Sequence, residues 1–299
     1  MYPVIDIGDQ IPELLEQLGN KAKYWFRADN RRYLFKIGRP GTGENWAEKT
    51  AAELADLLGL PHAVYDFAVW HGRRGVWTPS IEPEGARLIL GNELLAAIHT
   101  GYPRHQIRRA KDHTLGRIHA LLSRPEITAP PDWPPPGEGI VTAYDVFVGY
   151  LLLDAWIANQ DRHHENWGVI NHQDRIYLAP TFDHAASMGQ NETDETRHDR
   201  LTTRDRGRHI SSYVSKARSA IYGHKDSKKP LPNLELFEQA ARKSPAAARI
   251  WLTQLERVRD DQCQSLFEEL PPEEASSLAR EFALTLLSLN RSRMLTLEP

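Results

Sequence analysis

The apolar positions of the chain change their period as it runs. Between residues 23 and 37, two short aromatic and aliphatic runs flank Ala28-Asp29-Asn30, a pattern that predicts a β-hairpin. Farther on, Ala47, Thr50, Ala51, Leu54, Leu57 and Leu58 recur at intervals of three and four. That spacing predicts a helix from about Trp46 to Leu58, with Asn45 as its N-cap and Gly59 as its stop. Strand-like runs follow at Ala63–Trp70, Gly75–Pro79 and Arg87–Leu90, so the first 90 residues read as a sheet carrying one helix.

Beyond Gly91-Asn92 the pattern becomes helical. The stretch from Pro125 to Gly139 holds six prolines and reads as a surface loop. Val141–Ala158 is apolar and helical, and residues 167–183 return to strand and turn, with a bend at Asp174. Residues 189–230 are polar and read mostly as loop; from Asn233 onward helices return, among them Pro245–Leu255 and Pro272–Leu289. No internal repeat interrupts this order. The expectation is an α+β chain of two lobes forming one unit: a β-rich N-lobe over residues 1–91 and a helical C-lobe over 92–299.

Composition narrows the function classes. A formal net charge of −3 leaves no overall basic field to hold nucleic acid, although Arg197 to Arg208 and Lys225 to Lys229 form local basic clusters. The single cysteine, Cys263, excludes an internal disulfide or a multi-cysteine zinc motif, and it reads as a packing residue. No apolar run reaches the roughly 18–20 residues of a membrane span, and the N-terminus lacks a signal pattern. A cytoplasmic protein without a membrane partner is expected.

The chemistry is concentrated where the apolar helix ends. From Ile157 the sequence runs Ala-Asn-Gln-Asp-Arg-His-His-Glu-Asn-Trp-Gly-Val, and Thr181-Phe182-Asp183-His184 follows the next hairpin. Phosphoryl transfer needs one carboxylate to orient or deprotonate the attacking hydroxyl, and an amide with a second carboxylate to hold magnesium against triphosphate oxygens. Asp161 and Asn166 on one loop, with Asp183 at a strand end, could supply those oxygens. Lys36, on a strand of the other lobe, is placed to neutralise phosphates. Its partner would be Glu48 on the next helix, with Glu53 as the rival; Glu48 could equally close a capping box with Asn45. A zinc site from His163, His164, His172 and Asp183 has neither an HExxH helix nor a cysteine set behind it.

The segment Asn159-x-Asp161-Arg162-His163-x-x-Asn166 resembles the catalytic loop of the HipA-like kinases. Leu178-Ala179-Pro180-Thr181-Phe182-Asp183-His184 is similar to their metal-binding segment, and Glu48 to Pro61 to the helix after their nucleotide lysine. The resemblance runs in order over roughly residues 30–290. It implies a bilobal protein-kinase-like fold and ATP- and magnesium-dependent transfer of the γ-phosphate to a protein serine or threonine. By the same resemblance Asp161 is the catalytic base, Lys36 and Glu48 orient the nucleotide, and Asn166 and Asp183 bind magnesium. Arg162 and His163 support the loop, His163 by hydrogen bonds to backbone, whereas His164 is expected to face solvent. Toxin relatives carry an additional subdomain before the nucleotide lysine, and Lys36 comes too early for one, so an antitoxin-like partner has no sequence support. The alternatives are a small-molecule or lipid kinase, an AMP transferase, or a non-catalytic ATP-binding regulator.

Overall fold

A computed structural model of the chain describes residues 1–16 and 23–298. Its first sheet is built from β1 (Val4–Asp6), β2 (Leu14–Glu16), β3 (Lys23–Ala28), β4 (Arg31–Lys36), β5 (Asp66–Trp70) and β6 (Arg73–Pro79), in the order β1-β5-β6-β4-β3-β2. The expected hairpin is β3–β4. Asp29 and Asn30 both take positive φ, 48° and 61°, the geometry that lets a two-residue turn follow the strand twist. Side chains alternate across the sheet. Phe26, Phe35, Ala68 and Trp77 form a compact cluster on one face, while Phe67 and Val76 belong to the main core with helix α1 (Glu44–Leu57).

Two details of α1 differ from the sequence reading. Its N-cap is Gly43, with no side-chain cap, and Asn45 instead accepts the Gly38 N–H on Oδ1 at 3.0 Å. The aromatic ring of Trp46 lies against Gly43, where a Cβ would fall within 2 Å of the indole nitrogen, so a bulkier cap cannot fit. Glu48 is thereby released from any capping box. Gly59 does stop the helix, at φ +70°, donating its N–H to Asp56 O.

A second sheet has the order β7-β9-β10-β8: β7 (Arg87–Leu90), β8 (Ile127–Thr128), β9 (Gly168–His172) and β10 (Arg175–Leu178). The sequence assigned β7 to the first sheet; it pairs instead with β9, antiparallel, across 80 residues of chain. Periodicity cannot reveal a partner so distant. The bend at Asp174 holds, with Gln173 and Asp174 both left-handed. A short strand, β8, also emerges from the proline-rich stretch read as loop.

The helices α2 (Gly91–Ile98), α3 (Leu115–Leu122), α4 (Ala143–Trp156), α5 (Asp194–Thr202), α6 (Ile210–Lys216), α7 (Asn233–Lys243), α8 (Pro245–Arg257), α9 (Asp260–Glu268) and α10 (Ser277–Met294) make up most of the remainder. All fourteen residues of α4 are buried, and it packs against α3, α7, α8 and α10. Thr142 and Asp145 close a capping box at its start. Helices α5 and α6 lie in the segment read as loop. Thr193 caps α5, the buried Arg197 donates to Gly189 O, and α6 buries Ile210 and Val214 in the main core, so these short helices rest on caps and a few buried anchors. Cys263 is buried on α9, as expected of a packing residue. No helix among the described residues is long and apolar enough to cross a membrane.

Candidate active site

The strand β4 ends on Lys36, and its register against Val76 of β6 puts the lysine on the face of the sheet that packs on α1. There it meets Glu48. The Nζ to Glu48 Oε2 distance is 3.5 Å, and the two side chains are 8 % and 1 % exposed. Glu53 is engaged elsewhere, 2.6 Å from Lys49 Nζ. The rival partner is thus excluded by helix geometry, since five residues along a helix face a different way. Asp183 completes the cluster, its Oδ1 3.6 Å from Lys36 and its Oδ2 3.6 Å from Lys23. Burial alone would lower the Lys36 pKa; the charges of Asp183 and then Glu48 outweigh it and hold the ammonium well above its ordinary value. Lys36 therefore stays cationic at any physiological pH.

Tyr65, in the segment leading into β5, binds this cluster together. Its hydroxyl accepts from Lys36 Nζ at 3.1 Å and from the Asp183 N–H at 3.4 Å, and the ammonium lies 5.0 Å from its ring centre. Asp183 has φ 59°, a conformation a non-glycine residue adopts only when neighbours hold it there. The next residue, His184, donates its N–H to Glu48 Oε1 at 2.8 Å, and its Nε2 pairs with Thr181 Oγ1 at 2.8 Å. Burial drives its imidazole well below the usual pKa, so it is neutral. Glu48 thus links a lysine of the first sheet to the backbone that presents Asp183.

The residues of the loop after α4 are set from beneath. Helix α4 ends at Trp156, Ala158 just beyond it is left-handed at φ 52°, and the Asn159 N–H closes back on Asp154 O. Asp154, buried in the last turn of α4, accepts from Arg162 Nε at 2.7 Å, from Arg162 Nη2 at 2.8 Å and from Asn159 Nδ2 at 2.8 Å. Arg162 is fully buried and its third donor, Nη1, reaches Asn166 O at 2.7 Å. One bidentate ion pair therefore spans the loop from its start to its end. Asn159 Oδ1 accepts the Asp161 N–H, which leaves the Asp161 carboxylate 56 % exposed at the cleft. Asn166 Nδ2 donates to Asp161 O at 2.6 Å, so the amide oxygen is the atom left for a cation.

His163 accepts the Glu165 N–H at Nδ1, as its expected backbone-bridging role requires, and desolvation lowers its pKa to about 4. His164 does not face solvent. It is fully buried, with Nδ1 2.8 Å from Tyr102 Oη, because the loop turns alternate residues of the polar run inward. That also removes the zinc alternative, and no group of three His, Cys, Asp or Glu side chains among the described residues could hold a metal.

Lys36, Asp161, His163, Asn166 and Asp183 all line one cleft of about 330 Å³. Lys23, Tyr65, Thr78, Ile81, Leu88, Leu90 and Phe182 give it a mixed apolar and polar wall. Glu48 and Arg162 stand behind this lining. Sequence reasoning missed Lys23, Tyr65 and Asp154. Only Asp154 carried a signal: a carboxylate inside an apolar helix needs a buried partner.

No protein-family model matches the chain, and no curated protein matches it in sequence. Solved structures do. A Helicobacter pylori proinflammatory kinase, CtkA, superposes with a TM-score of 0.77 at 18% identity, covering 98% of this chain and 96% of that one. HipA of Shewanella oneidensis MR-1, solved with HipB and operator DNA as a toxin–antitoxin system, superposes with a TM-score of 0.57 at 13% identity, covering 98% and 69%. With β-rich and helical halves meeting at one cleft, the chain has the α+β, kinase-like fold of the HipA-like kinases.

Proposed function

We propose that this protein is an ATP- and magnesium-dependent phosphotransferase acting on a protein serine or threonine in the cytoplasm. The observation that carries the reading is the convergence of Lys36, Glu48 and Asp183 within ion-pair distance, in the same cleft as Asp161 and Asn166. Such an inventory has few other uses. A lysine kept cationic, a carboxylate and an amide oxygen suit a triphosphate and its metal, and an exposed carboxylate beside them suits a hydroxyl. In this reading the chain is one catalytic unit, with its lobes dividing within residues 80–91, at or just before the residue 91 expected from sequence.

The donor set fits magnesium, a hard cation that takes few protein oxygens and completes its shell with phosphate and water. Asp183 and Asn166 would hold it, the amide oxygen being turned outward by the bond from Nδ2 to Asp161 O. When bound, it would offset charge on the phosphate oxygens. Lys36 would bind the phosphates, held at its post by Glu48 and Tyr65. Arg162 would keep the loop closed through Asp154, so that Asp161 meets the attacking hydroxyl and accepts its proton at Oδ. The protein acceptor, as against a lipid or small molecule, follows the HipA-like likeness.

Purified protein incubated with γ-labelled ATP, magnesium and a whole-cell extract tests this directly. A labelled protein band, absent with Asp183→Asn, is the expected result. Label on a lipid or small molecule would move the acceptor to another class. No transfer by a folded wild type that is stabilised by ATP would make it a binding module.

A further inference from the structure

The segment between α2 and α3, residues 99–114, carries a concentration of cations that the proposed chemistry does not use. Arg104, Arg108, Arg109 and Lys111 are all exposed, and none has a carboxylate partner among the described residues. Elsewhere on the surface the arginines divide: Arg31, Arg73, Arg175 and Arg257 also lack a carboxylate partner among the described residues but stand singly, whereas others are paired. Arg117 binds Asp112, Arg200 binds Glu192, Arg208 binds Asp199 and Asp205, and Arg242 binds Glu238. In a chain of net charge −3 with acids to spare, four unneutralised cations within eight residues stand out.

The loop is built and tied to the catalytic loop. Tyr102 Oη meets His164 Nδ1 at 2.8 Å, and Asn92 Nδ2 donates both to Arg104 O at 3.0 Å and to Glu165 Oε1 at 3.1 Å. Gln106 Nε2 donates to the carbonyls of Arg108 and Arg109, the latter held at φ 57°. Ile107 and Arg108 line the same cleft as Asp161. A cationic rim fixed in place beside the exposed base loses little freedom when an anionic partner arrives.

We propose that this loop is the docking surface for an acidic peptide segment flanking the acceptor hydroxyl, a reading that rests on the phosphoryl-transfer function above. Carboxylates of such a segment would meet Arg104, Arg108, Arg109 and Lys111, arginine offering paired donors that match a carboxylate. A polynucleotide fits less well. The loop's tyrosine, Tyr102, is buried on His164, so it offers no face on which a base could stack.

The experiment uses the full chain and three labelled probes: a serine peptide flanked by Asp and Glu, the same peptide with neutral flanks, and a single-stranded oligonucleotide of like length. Fluorescence anisotropy reads binding to wild type and to Arg104→Gln/Arg109→Asn/Lys111→Gln, asparagine being chosen to tolerate the left-handed backbone at 109. Thermal stabilisation by ATP–magnesium checks that the variant is folded. The wild type should bind the acidic peptide about tenfold more tightly than the neutral one, a preference that fades at high salt and falls to near one in the triple variant. Equal binding of the two peptides, or tighter binding of the oligonucleotide, overturns the proposal. Transfer from labelled ATP is read separately on the same peptides. Phosphorylation without acidic preference sinks this inference and leaves the kinase reading standing; preferential binding without phosphorylation sinks the kinase reading and leaves the surface.

Discussion

The two ends of the cleft are built differently. At the inner end, Lys36, Glu48 and Asp183 are 8 %, 1 % and 20 % exposed, with Lys36 and Glu48 on β4 and α1 and Asp183 on the segment after β10. At the mouth, Asp161 is 56 % exposed on a loop, faced by a second loop bearing uncompensated arginines. The inner end is a closed set of opposite charges, whose attraction is strong because water is largely excluded. The mouth leaves its charges to the solvent, where they count for little until a partner displaces water. In the proposed reaction the part handling the invariant reactant is rigid and the part handling the variable one is open.

That contrast can be broken most sharply by separating chemistry from binding. Asp161→Asn should lower turnover by about 10²–10⁴-fold, the usual worth of a positioned base, while leaving ATP affinity nearly unchanged. Lys36→Ala should do the reverse in part, weakening the thermal stabilisation that ATP gives. Calorimetry and single-turnover assays on both variants decide it: a loss of ATP binding in folded Asp161→Asn would place that carboxylate at the inner end.

Support beneath the mouth should show in stability rather than in affinity. Asp154→Ala strands the fully buried Arg162, and breaking such a pair costs about 3–5 kcal/mol. Urea unfolding should register that loss in full. A change within experimental error would mean that the loop does not depend on the pair.

Tyr65→Phe should have a smaller effect, confined to the inner end. It removes the hydroxyl that joins Lys36 to the Asp183 backbone and keeps the ring beneath the ammonium. Turnover should drop by about tenfold, the equivalent of a hydrogen bond to a charged group, with stability little altered. Wild-type kinetics would assign Tyr65 to packing alone.

A last expected effect, on stability rather than turnover, is pH dependence. His113, stacked on Trp167 behind the mouth, is pushed down to about 3 by burial and then by His164. Its folded pKa is depressed, so the folded state cannot take the proton that the unfolded chain takes below 6.5. The stability it contributes is present above pH 6.5 and is lost as pH falls toward 3, by up to about 1.4 kcal/mol per unit. Unfolding midpoints that stay flat from pH 7 to 5 would contradict this.

How much of this the sequence revealed follows the same division. That Lys36, Glu48, Asp161, Asn166 and Asp183 converge was legible because their order and spacing match the one chemical requirement proposed for them. The β3–β4 hairpin, α1 and α4 were legible because period and turn residues are local signals. Tyr65 was not, since an aromatic before a strand says nothing of a lysine 29 residues away. His164 was misread because a polar run at a helix end suggests exposure, whereas Tyr102 and the second sheet cover it. The pairing of β7 with β9 and the helices α5 and α6 were missed for related reasons: one depends on a distant partner, the others on caps and a few buried anchors.

The pairing of β7 with β9 also sets an order of events during synthesis. Every strand of the first sheet lies within residues 4–79, so that sheet can close as soon as its last strand leaves the ribosome. The β7 strand must then wait for residues 168–178 before it has a neighbour, and long-range pairings of this kind form slowly. Until then Lys36 and Glu48 stand without Asp183, two of three charges with the third still to be translated. In the proposed reaction the nascent chain would therefore hold two of the three inner charges, and the cluster would be complete only once Asp183 has been translated.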